Sequence, residues 1–358
     1  MSAIGSGARV LVVGPGGAGA MAISVAHGFA ALGCEVRHVH WGRFAVAVGA
    51  LALPGRNRLA MAGHHLARPF EAAFVVDEAR RFRPDLVFFL KCDDLPPLVY
   101  RALAMLRPRP VLAVFHPDDP FNVGRGLWRR VGGPSDVRAI DQMRAVDDYF
   151  VWSHALVDGV RAAGAKAAHY LPFACDPELH PRPDESEVPA ELRAAVAFIG
   201  NWDPERERWL AALAATDVDL AVWGTPDWLR RCQTEAIRAR YRGRVLMARE
   251  MALATRGSAL NLNVLRRQNK GATNMRTFEI PCAGGFLLHE RSPEAAAIFE
   301  PGVAMDDFAT PEELAAKVAH WLARPDERAA IAERGFAVAR RHTYREWAAQ
   351  VVATCLGR

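Results

Sequence analysis

PFACDPELHPRPDESEVP, residues 172–189, decides how the chain is divided. It holds five prolines, and proline disrupts both helix interiors and central strands because it lacks a backbone N–H and its ring clashes with the preceding turn. An acidic, proline-rich stretch of this kind is typical of an interdomain linker. The 358 residues of the chain are enough for about two domains of ordinary size, one on each side of it.

The regions on either side of this stretch open in the same way, with an apolar strand and a glycine turn. Residues 9–13 (RVLVV) lead into the glycine-rich run 14–19, and residues 196–199 (VAFI) lead into Gly200 and Asn201. We therefore expect four segments. They are a first domain over 1–175, a linker over 176–194, a second domain over 195–340 and a final helix over 341–358.

Apolar runs of strand length recur along both regions, with helix-like periodicity between them, and this alternation predicts an α/β fold with two doubly wound parallel sheets. Strands are predicted at residues 9–13, 35–39, 86–90, 111–115, 149–152, 196–199, 220–223, 245–246, 260–264 and 286–288. Helices are predicted up to about residue 32, where Gly33 ends the first one, and at 205–214, from 274, at 311–323, 325–340 and 343–356.

Composition and charge narrow the class of protein. The net charge of +5 comes from basic residues scattered among acids, which favours small phosphorylated ligands or an anionic membrane face over nucleic acid. The six cysteines form no C-x-x-C pair and indicate reduced thiols. The longest apolar stretch, residues 44–53, is too short to span a bilayer, and no leader pattern is present. We expect a cytoplasmic protein, with peripheral membrane association left open.

Motifs for cofactors and metals are weak or missing. Gly14-x-Gly16-x-x-Gly19 fits a dinucleotide-binding loop, but the acidic residue expected about 20 residues later has no clear candidate. The sequence has no H-E-x-x-H or C-x-x-C metal site, no G-x-S-x-G elbow and no phosphate loop of the G-x-x-x-x-G-K-[ST] type. We therefore expect neither a resident cofactor nor a metal, and the glycine loop is expected only to line a ligand crevice.

The most informative stretch is KGATNMRTFEIPCAGGFLL, residues 270–288. Thr273 or Asn274 can cap a helix whose free N–H groups would bind an anion. Arg276 in the first turn can add a bidentate guanidinium, and Glu279, one turn later, can accept hydrogen bonds from two ribose hydroxyls. The same spacing also fits an ordinary surface ion pair between Arg276 and Glu279.

Residues 274–289 resemble the C-terminal domain of the CgeB-like (spore-maturation type) glycosyltransferases, and the likeness continues through 301–302, 310–314 and 342–344. They are similar, more distantly, to the group-one transferases of GT-B type. The resemblance implies two Rossmann-like domains facing across a cleft, a final helix that packs back on the first domain, and a nucleotide-diphosphate-sugar donor. It assigns Arg276 to the donor phosphate and Glu279 to the donor ribose. Many group-one enzymes carry a second glutamate where this chain has Gly271.

The resemblance leaves the acceptor open between a glycan, a lipid-linked glycan, a protein and a small molecule. It also leaves two other functions open: a nucleotide-sugar epimerase of the same fold, and a non-catalytic sugar-nucleotide-binding or envelope assembly protein. The absence of the second glutamate favours the non-catalytic function slightly, whereas Lys270, Arg276 and Glu279 argue against it.

Other candidate donor ligands follow predicted strands of the second domain. Arg266, Arg267 and Lys270 come after the strand 260–264, where cations would stabilise the charge of a departing diphosphate. Gly200 and Asn201 form the turn after the first strand. Each basic residue fits a solvated loop equally well, and Asn201 fits an ordinary turn residue.

In the first domain, the loop 115–122 (FHPDDPFN) follows a buried strand and crowds an imidazole and two carboxylates. His116 or Asp119 is our candidate general base for an acceptor hydroxyl, with Asp118 beside them. The prolines and aspartates also fit a loop that only shapes a turn. Less strongly indicated candidates at equivalent strand ends are Lys91, Asp93 and Asp94, and Ser153-His154, which fits a helix cap as well.

Overall fold

The structure, a computed structural model, describes residues 7–17, 19–41, 57–92, 95–121 and 135–357. Of residues 57–68 and 135–138 it describes only the backbone. The apolar stretch 44–53, Asp93, Asp94 and Asn122 of the sequence predictions lie outside these ranges. The chain forms two compact units: Met1–Pro172 with Tyr344–Arg358, and Phe173–Thr343.

The first unit is built on a six-stranded parallel sheet of order β2-β1-β3-β4-β5-β6. The strands are β1 (Arg9–Pro15), β2 (Glu35–Trp41), β3 (Leu86–Leu90), β4 (Val111–His116), β5 (Asp148–Val151) and β6 (Ala168–Tyr170). The described helices are α1 (Met21–Ala31), α2 (Asn57–Phe82), α3 (Pro97–Ala104), α4 (Ser135–Ala145), α5 (His154–Ala162) and, from the end of the chain, the helix Tyr344–Leu356.

All five residues of β3 (LVFFL) are buried, as befits a central strand covered on both faces. On one face lies the terminal helix Tyr344–Leu356, whose Trp347 ring packs edge-on against Phe88 and Phe115. Helix α1 approaches the same helix so closely that a Cβ at Gly28 would lie 2.2 Å from the Tyr344 carbonyl oxygen. The terminal helix therefore completes the core of the first unit.

The second unit has a five-stranded parallel sheet of order β11-β10-β9-β7-β8. Its strands are β7 (Ala194–Ile199), β8 (Leu220–Trp223), β9 (Ser258–Asn263), β10 (Leu287–Glu290) and β11 (Asp306–Phe308). Its helices are α6 (Pro204–Ala214), α7 (Asp227–Arg230), α8 (Glu235–Arg240), α9 (Ala248–Arg256), α10 (Met275–Cys282), α11 (Pro293–Ile298), α12 (Pro311–Leu322) and α13 (Pro325–Ala339). The terminal helix Tyr344–Leu356 is α14.

The proline-rich stretch is folded within the second unit. Two 3₁₀ turns, Glu185–Glu187 and Ala190–Leu192, interrupt it, and Val188 and Leu192 are buried in an apolar cluster with β7 and β8. Residues 176–194, predicted as a linker, are therefore part of the second unit, because their apolar side chains are buried in its core.

Among the strands, three differ from the sequence prediction. Residues 245–246, predicted as a strand, belong to no strand, and Val245 is exposed. The three-residue edge strands β6 and β11 were not predicted. Gly33 does end α1, with the positive φ of 90° that a helix C-terminal glycine adopts readily. Among the described residues, no helix is long and apolar enough to cross a membrane.

Candidate functional site

In the second sheet, the chain turns from β7 outward to β8 and then returns to the other side of β7 as β9. In open parallel sheets, ligands bind outside the carboxyl ends of the strands at such a switch point. The candidate residues of the second unit follow these ends: Gly200 and Asn201 follow β7, and Arg266 and Lys270 follow β9.

A hydrogen-bonded network holds the N-terminus of α10 beside β9. Asn274 caps the helix, since its Oδ1 accepts a hydrogen bond from the Thr277 N–H at 3.1 Å. The amides of Asn274 and Asn263, the last residue of β9, pair reciprocally at 3.0 Å. Asn274 is thus the cap that the sequence offered as one of two alternatives, and it fixes the first turn that carries Arg276.

The buried His289 completes this network. Its Nδ1 hydrogen bonds to the Glu290 carbonyl, which can only accept, so Nδ1 carries the proton. Nε2 is then an acceptor for the Thr277 hydroxyl at 2.9 Å. Burial lowers the pKa of His289 to about 4, with smaller opposing effects from the Glu290 carbonyl and Asp307. The imidazole is therefore neutral at pH 7.

We expect this histidine to make the protein less stable in mild acid. The folded pKa of about 4 lies below the ordinary value of about 6.5, so between these values the unfolded chain binds more protons. The free energy of unfolding therefore falls as pH drops from about 6.5 towards 4, by up to about 3 kcal/mol from this group. Urea unfolding at pH 7.5 and pH 4.5 should show a smaller loss in His289→Gln than in the parent. Equal losses would contradict the assignment, and the exposed His320→Gln is the matched control.

Arg276 and Glu279 form the ion pair that their spacing allows, but not on the surface. Glu279 is only 2% exposed, and its Oε1 lies 3.8 Å from Nε2 of the buried His180. Arg276 also donates from Nε to the Ile199 carbonyl at the end of β7, at 3.2 Å. The pair therefore lies at the switch point, with the guanidinium partly exposed, and the prediction of an ordinary surface pair is wrong.

Arg206, on the first turn of α6, is a residue that sequence reasoning missed. It is buried, and it donates from Nε to the Val264 carbonyl at 3.1 Å and from Nη1 to the Asn201 carbonyl at 3.0 Å. Burial, followed by repulsion from Arg266 and then Arg276, lowers the pKa of Arg206 to about 10. The guanidiniums of Arg206 and Arg276 thus lie beside the end of β7, and Arg266 follows Val264 by two residues.

The sequence gives only a weak signal for this role. Arg206 stands in the alternating run Glu205-Arg-Glu-Arg208, which reads as an exposed, charged helix face. Its neighbour Arg208 is indeed 65% exposed at the side chain. An indication of its role in the sequence is that Arg206 lies in the first turn of a predicted helix that follows a strand and a glycine turn.

The charge of Lys270, by contrast, is compensated by carboxylates of the protein. Its ammonium group forms an ion pair with Glu290 and lies 3.5 Å from Glu205. Glu290 is nearly buried and also accepts a hydrogen bond from the Leu265 N–H at 2.8 Å. Gly271, next in sequence, has a φ of +81° and no atom within 4 Å of where a Cβ would stand.

The turn residues after β7 have structural contacts within the second unit. The Gly200 carbonyl accepts a hydrogen bond from Trp228 Nε1 at 2.8 Å, and a Cβ at Gly200 would meet the Phe198 ring at 3.0 Å. Asn201 is exposed, and its carbonyl holds Arg206. Arg267, one of the predicted cations, is also exposed.

In the first unit, the three candidates after β4 have distinct surroundings. His116 is buried at the strand end, with Nδ1 2.8 Å from the Asp118 carbonyl and its ring stacked near Tyr149. Asp118 forms an ion pair with Lys91 at 2.5 Å. Asp119 Oδ1 accepts a hydrogen bond from the Phe121 N–H at 2.9 Å, which closes an Asx turn. Ser153 caps α5, through a hydrogen bond from the Ala155 N–H.

The neighbouring strand end, after β3, is strained. Lys91 and Cys92 have positive φ angles of 61° and 52°, which non-glycine residues rarely adopt. The buried Gln142 and Tyr100 donate to the Lys91 and Cys92 carbonyls at 2.6 and 3.1 Å, respectively. This support holds the Lys91 side chain where it pairs with the β4 loop.

Within the described part of the chain, no group of three or more His, Cys, Asp or Glu side chains is placed to hold a metal ion. The candidate chemistry of the second unit is therefore that of guanidiniums, a helix N-terminus and a buried carboxylate. Such an arrangement can bind a polyanion that also carries neighbouring hydroxyl groups.

Comparisons with known proteins agree with this arrangement. Residues 206–353 match a protein-family model described as glycosyl transferase-like. A search of curated protein sequences gives no match.

Three solved structures are similar along nearly the whole chain. Sucrose-phosphate synthase from Thermosynechococcus elongatus has a TM-score of 0.67 at 12% identity, covering 98% of this chain and 98% of that one. HepE from Anabaena, in complex with UDP and glucose, has a TM-score of 0.63 at 15% identity, covering 98% and 100%. The α,α-trehalose 6-phosphate synthase from Burkholderia multivorans has a TM-score of 0.60 at 16% identity, covering 98% and 97%. The chain therefore has the GT-B fold, and residues 206–353 are similar to a glycosyl transferase-like domain.

Proposed function

We propose that the protein transfers a sugar from a nucleoside-diphosphate-sugar donor to an acceptor hydroxyl, without a metal ion. The observation that carries this proposal is that Arg206 and Arg276 donate to the Asn201 and Ile199 carbonyls at the switch point of the second sheet, with Arg266 two residues after Val264, whose carbonyl Arg206 also holds. Keeping like charges together with one of them buried costs free energy; Asp203, Glu279 and Glu290 offset part of this cost, and an anionic ligand would offset more of it.

A diphosphate fits the cluster chemically. Breaking the bond between the sugar and the diphosphate places additional negative charge on the leaving phosphate oxygens, and guanidiniums already in position stabilise that charge. Arg266 and Arg276 provide partly exposed cations, and Arg206 provides a buried one. The capped N-terminus of α10 adds backbone N–H groups. Lys270 would join only after releasing Glu290.

Glu279 is proposed to bind the ribose of the donor. Its buried carboxylate is held by Arg276 and lies on the same helix, one turn from the phosphate cluster. A carboxylate so placed accepts two hydrogen bonds from vicinal hydroxyls, and a ribose offers such a pair. The Gly200–Asn201 turn would then border the donor, and a Cβ at Gly200 would lie 3.4 Å from Nη1 of Arg206.

In the first unit, we propose that His116 or Asp119 receives the proton of the acceptor hydroxyl. His116 lies at the carboxyl end of β4, and Asp119 lies in the adjoining turn. Asp118 is less suited, because the Lys91 ammonium compensates its charge. The acceptor remains a glycan, a lipid-linked glycan, a protein or a small molecule.

Two finer assignments belong to the same proposal. The CgeB-like subfamily rests on the sequence resemblance of residues 274–289. A cytoplasmic location is supported by the six cysteines, all of them buried and none in a disulfide, since such thiols suit a reducing compartment.

A panel of nucleoside diphosphates tests the donor site. HepE was crystallised with UDP and with UDP-glucose, so UDP is the first ligand to try, followed by GDP, dTDP and CDP. At about 100 times its dissociation constant, a true donor nucleotide should stabilise the second unit by about 2.7 kcal/mol, a shift of several degrees. Glu279→Gln should abolish most of the shift, because an amide cannot accept both ribose hydrogen bonds.

Two comparisons make the panel decisive. Glu191→Gln, an exposed glutamate of the same unit, should behave like the parent. A shift produced by NADH alone would assign ligand binding to the glycine loop 14–19 instead. No shift with any nucleoside diphosphate would overturn the donor assignment.

A further inference from the structure

A cavity lies at the other end of the strands of the second sheet from the candidate donor site. Its volume is about 230 Å³. It is lined by the residues that precede or begin strands β7, β9 and β10, among them Arg193, Ser258 and Phe286, and by the first turns of α13. The cavity therefore lies at the amino ends of the parallel strands, whereas Arg206 and Arg276 lie at the carboxyl ends.

The charges that line this cavity are unbalanced. The lining holds Arg193, Arg256 and Arg328 and one carboxylate, Glu185, and so carries a net charge of +2. Outside the lining, Glu333 also attracts Arg256, but it is paired with Arg182. Glu185 forms an ion pair with Arg256 at 3.1 Å, and its carbonyl accepts a hydrogen bond from Arg193 at 2.6 Å. One carboxylate cannot neutralise three guanidiniums, so excess positive charge remains in a partly enclosed space.

The guanidiniums also keep unused hydrogen-bond donors. Within the described part of the chain, Arg193, Arg256 and Arg328 each engage one terminal nitrogen with a protein acceptor. The Nε of Arg256 is buried and has no hydrogen-bond partner there. A buried, unpaired N–H on a cation is costly, and an anion in the cavity would satisfy it. Arg328 is desolvated as well, since burial lowers its pKa.

We propose that this cavity is a second anion site, which binds the phosphate group of a small phosphate monoester or inorganic phosphate. Guanidiniums form two parallel hydrogen bonds with phosphate oxygens, and three of them around one cavity match a tetrahedral anion better than a planar one. The space admits a phosphate and a few attached atoms, but not a nucleoside diphosphate sugar. This site is independent of the donor site, and neither depends on the other's assignment.

The position of the cavity connects it physically to the donor site. Helix α10 carries Arg276 and Glu279, and Gly284, two residues after its end, lines the cavity. Gly284 has a φ of +78°, and a Cβ there would lie 2.9 Å from Arg182 Nε. An anion bound here therefore touches the segment that ends the donor helix.

Titration calorimetry on the full chain tests the site with inorganic phosphate and with glycerol 3-phosphate, at constant ionic strength set by KCl and with UDP in excess to occupy the donor site. Arg256→Gln should weaken phosphate binding by about tenfold or more, because it removes a charged donor. Glu185→Gln should instead strengthen binding severalfold, because it removes the competing carboxylate. A fold defect cannot produce a gain in affinity, so the pair separates binding from misfolding.

Controls assign the effect to the cavity. Arg242→Gln, which removes a similar exposed arginine–carboxylate pair with Asp219, should leave phosphate affinity unchanged. Arg276→Ala should also leave it unchanged, whatever it does to UDP. The proposal is overturned if phosphate binds equally to the parent and Arg256→Gln, or if Arg276→Ala rather than Arg256→Gln abolishes binding. Tighter binding of glycerol 3-phosphate identifies a monoester as the ligand, and equal binding identifies phosphate itself.

Discussion

Replacing Arg206 with methionine is expected to lower the turnover of a nucleotide-sugar donor by about 10²–10³-fold, the usual effect of removing one preorganised donor to developing charge. Arg206 is more deeply buried than Arg266 and Arg276, and two backbone carbonyls, of Asn201 and Val264, fix its position. A group held this firmly needs no reorganisation when charge develops on the diphosphate. The measurement is the release of nucleoside diphosphate from the donor at saturating concentration.

Folding should survive this change. Methionine matches the arginine side chain out to Nε. The substitution removes a buried charge and its repulsion from Arg266 and Arg276, and it loses two hydrogen bonds. These opposing effects are each of the order of a few kcal/mol, so the unfolding temperature should change little. Arg208→Met, two residues along the same helix and largely exposed, should keep full turnover. Turnover within threefold of the parent in Arg206→Met would exclude Arg206 as a diphosphate ligand.

The central strand Leu86–Leu90 could be predicted from sequence to the residue, because burial on both faces leaves a continuous apolar run, and every residue in it is buried. The edge strand Asp306–Phe308 (DDF) lacks this signal: among the described strands it pairs with one neighbour only, Lys317 and Trp321 donate to Asp306, and Arg291 donates to Asp307. Residues 245–246 show the opposite error, since two adjacent apolar residues need not pair with a strand.

The candidate site was predictable where it depends on neighbours in sequence. The cap at Asn274 and the pairing of Arg276 with Glu279 follow from helical spacing. Contacts between distant segments were not predictable. The ion pair of Lys270 with Glu290 joins residues that only the β9–β10 pairing brings together. Arg206, on α6, donates to the carbonyl of Val264, which directly follows β9.

Replacing Trp347 with alanine is expected to destabilise the first unit by about 3–5 kcal/mol, the range for truncating a buried large aromatic residue. The ring centroid of Trp347 lies 5.4 Å from that of Phe88 and 5.3 Å from that of Phe115, so it joins α14 to two central strands. Its Nε1 donates to the Pro172 carbonyl at 3.0 Å. Trp347→Phe keeps much of the ring packing and loses the hydrogen bond, so its cost should be nearer 1–2 kcal/mol.

Because the chain has two units, a single unfolding curve would not isolate this effect, and hydrogen exchange resolved by peptide is the suitable measurement. Trp347→Ala should raise the exchange rates of the strands Leu86–Leu90 and Val111–His116, while the strands Ala194–Ile199 and Ser258–Asn263 keep theirs. Phe70→Ala is the control, since that ring is already 72% exposed and little burial is lost. An equal rise in the strands of the second unit would show that the two units unfold together, and no rise in either would show that α14 does not stabilise the first sheet. The comparison thus tests directly whether the last helix of the chain is part of the first core.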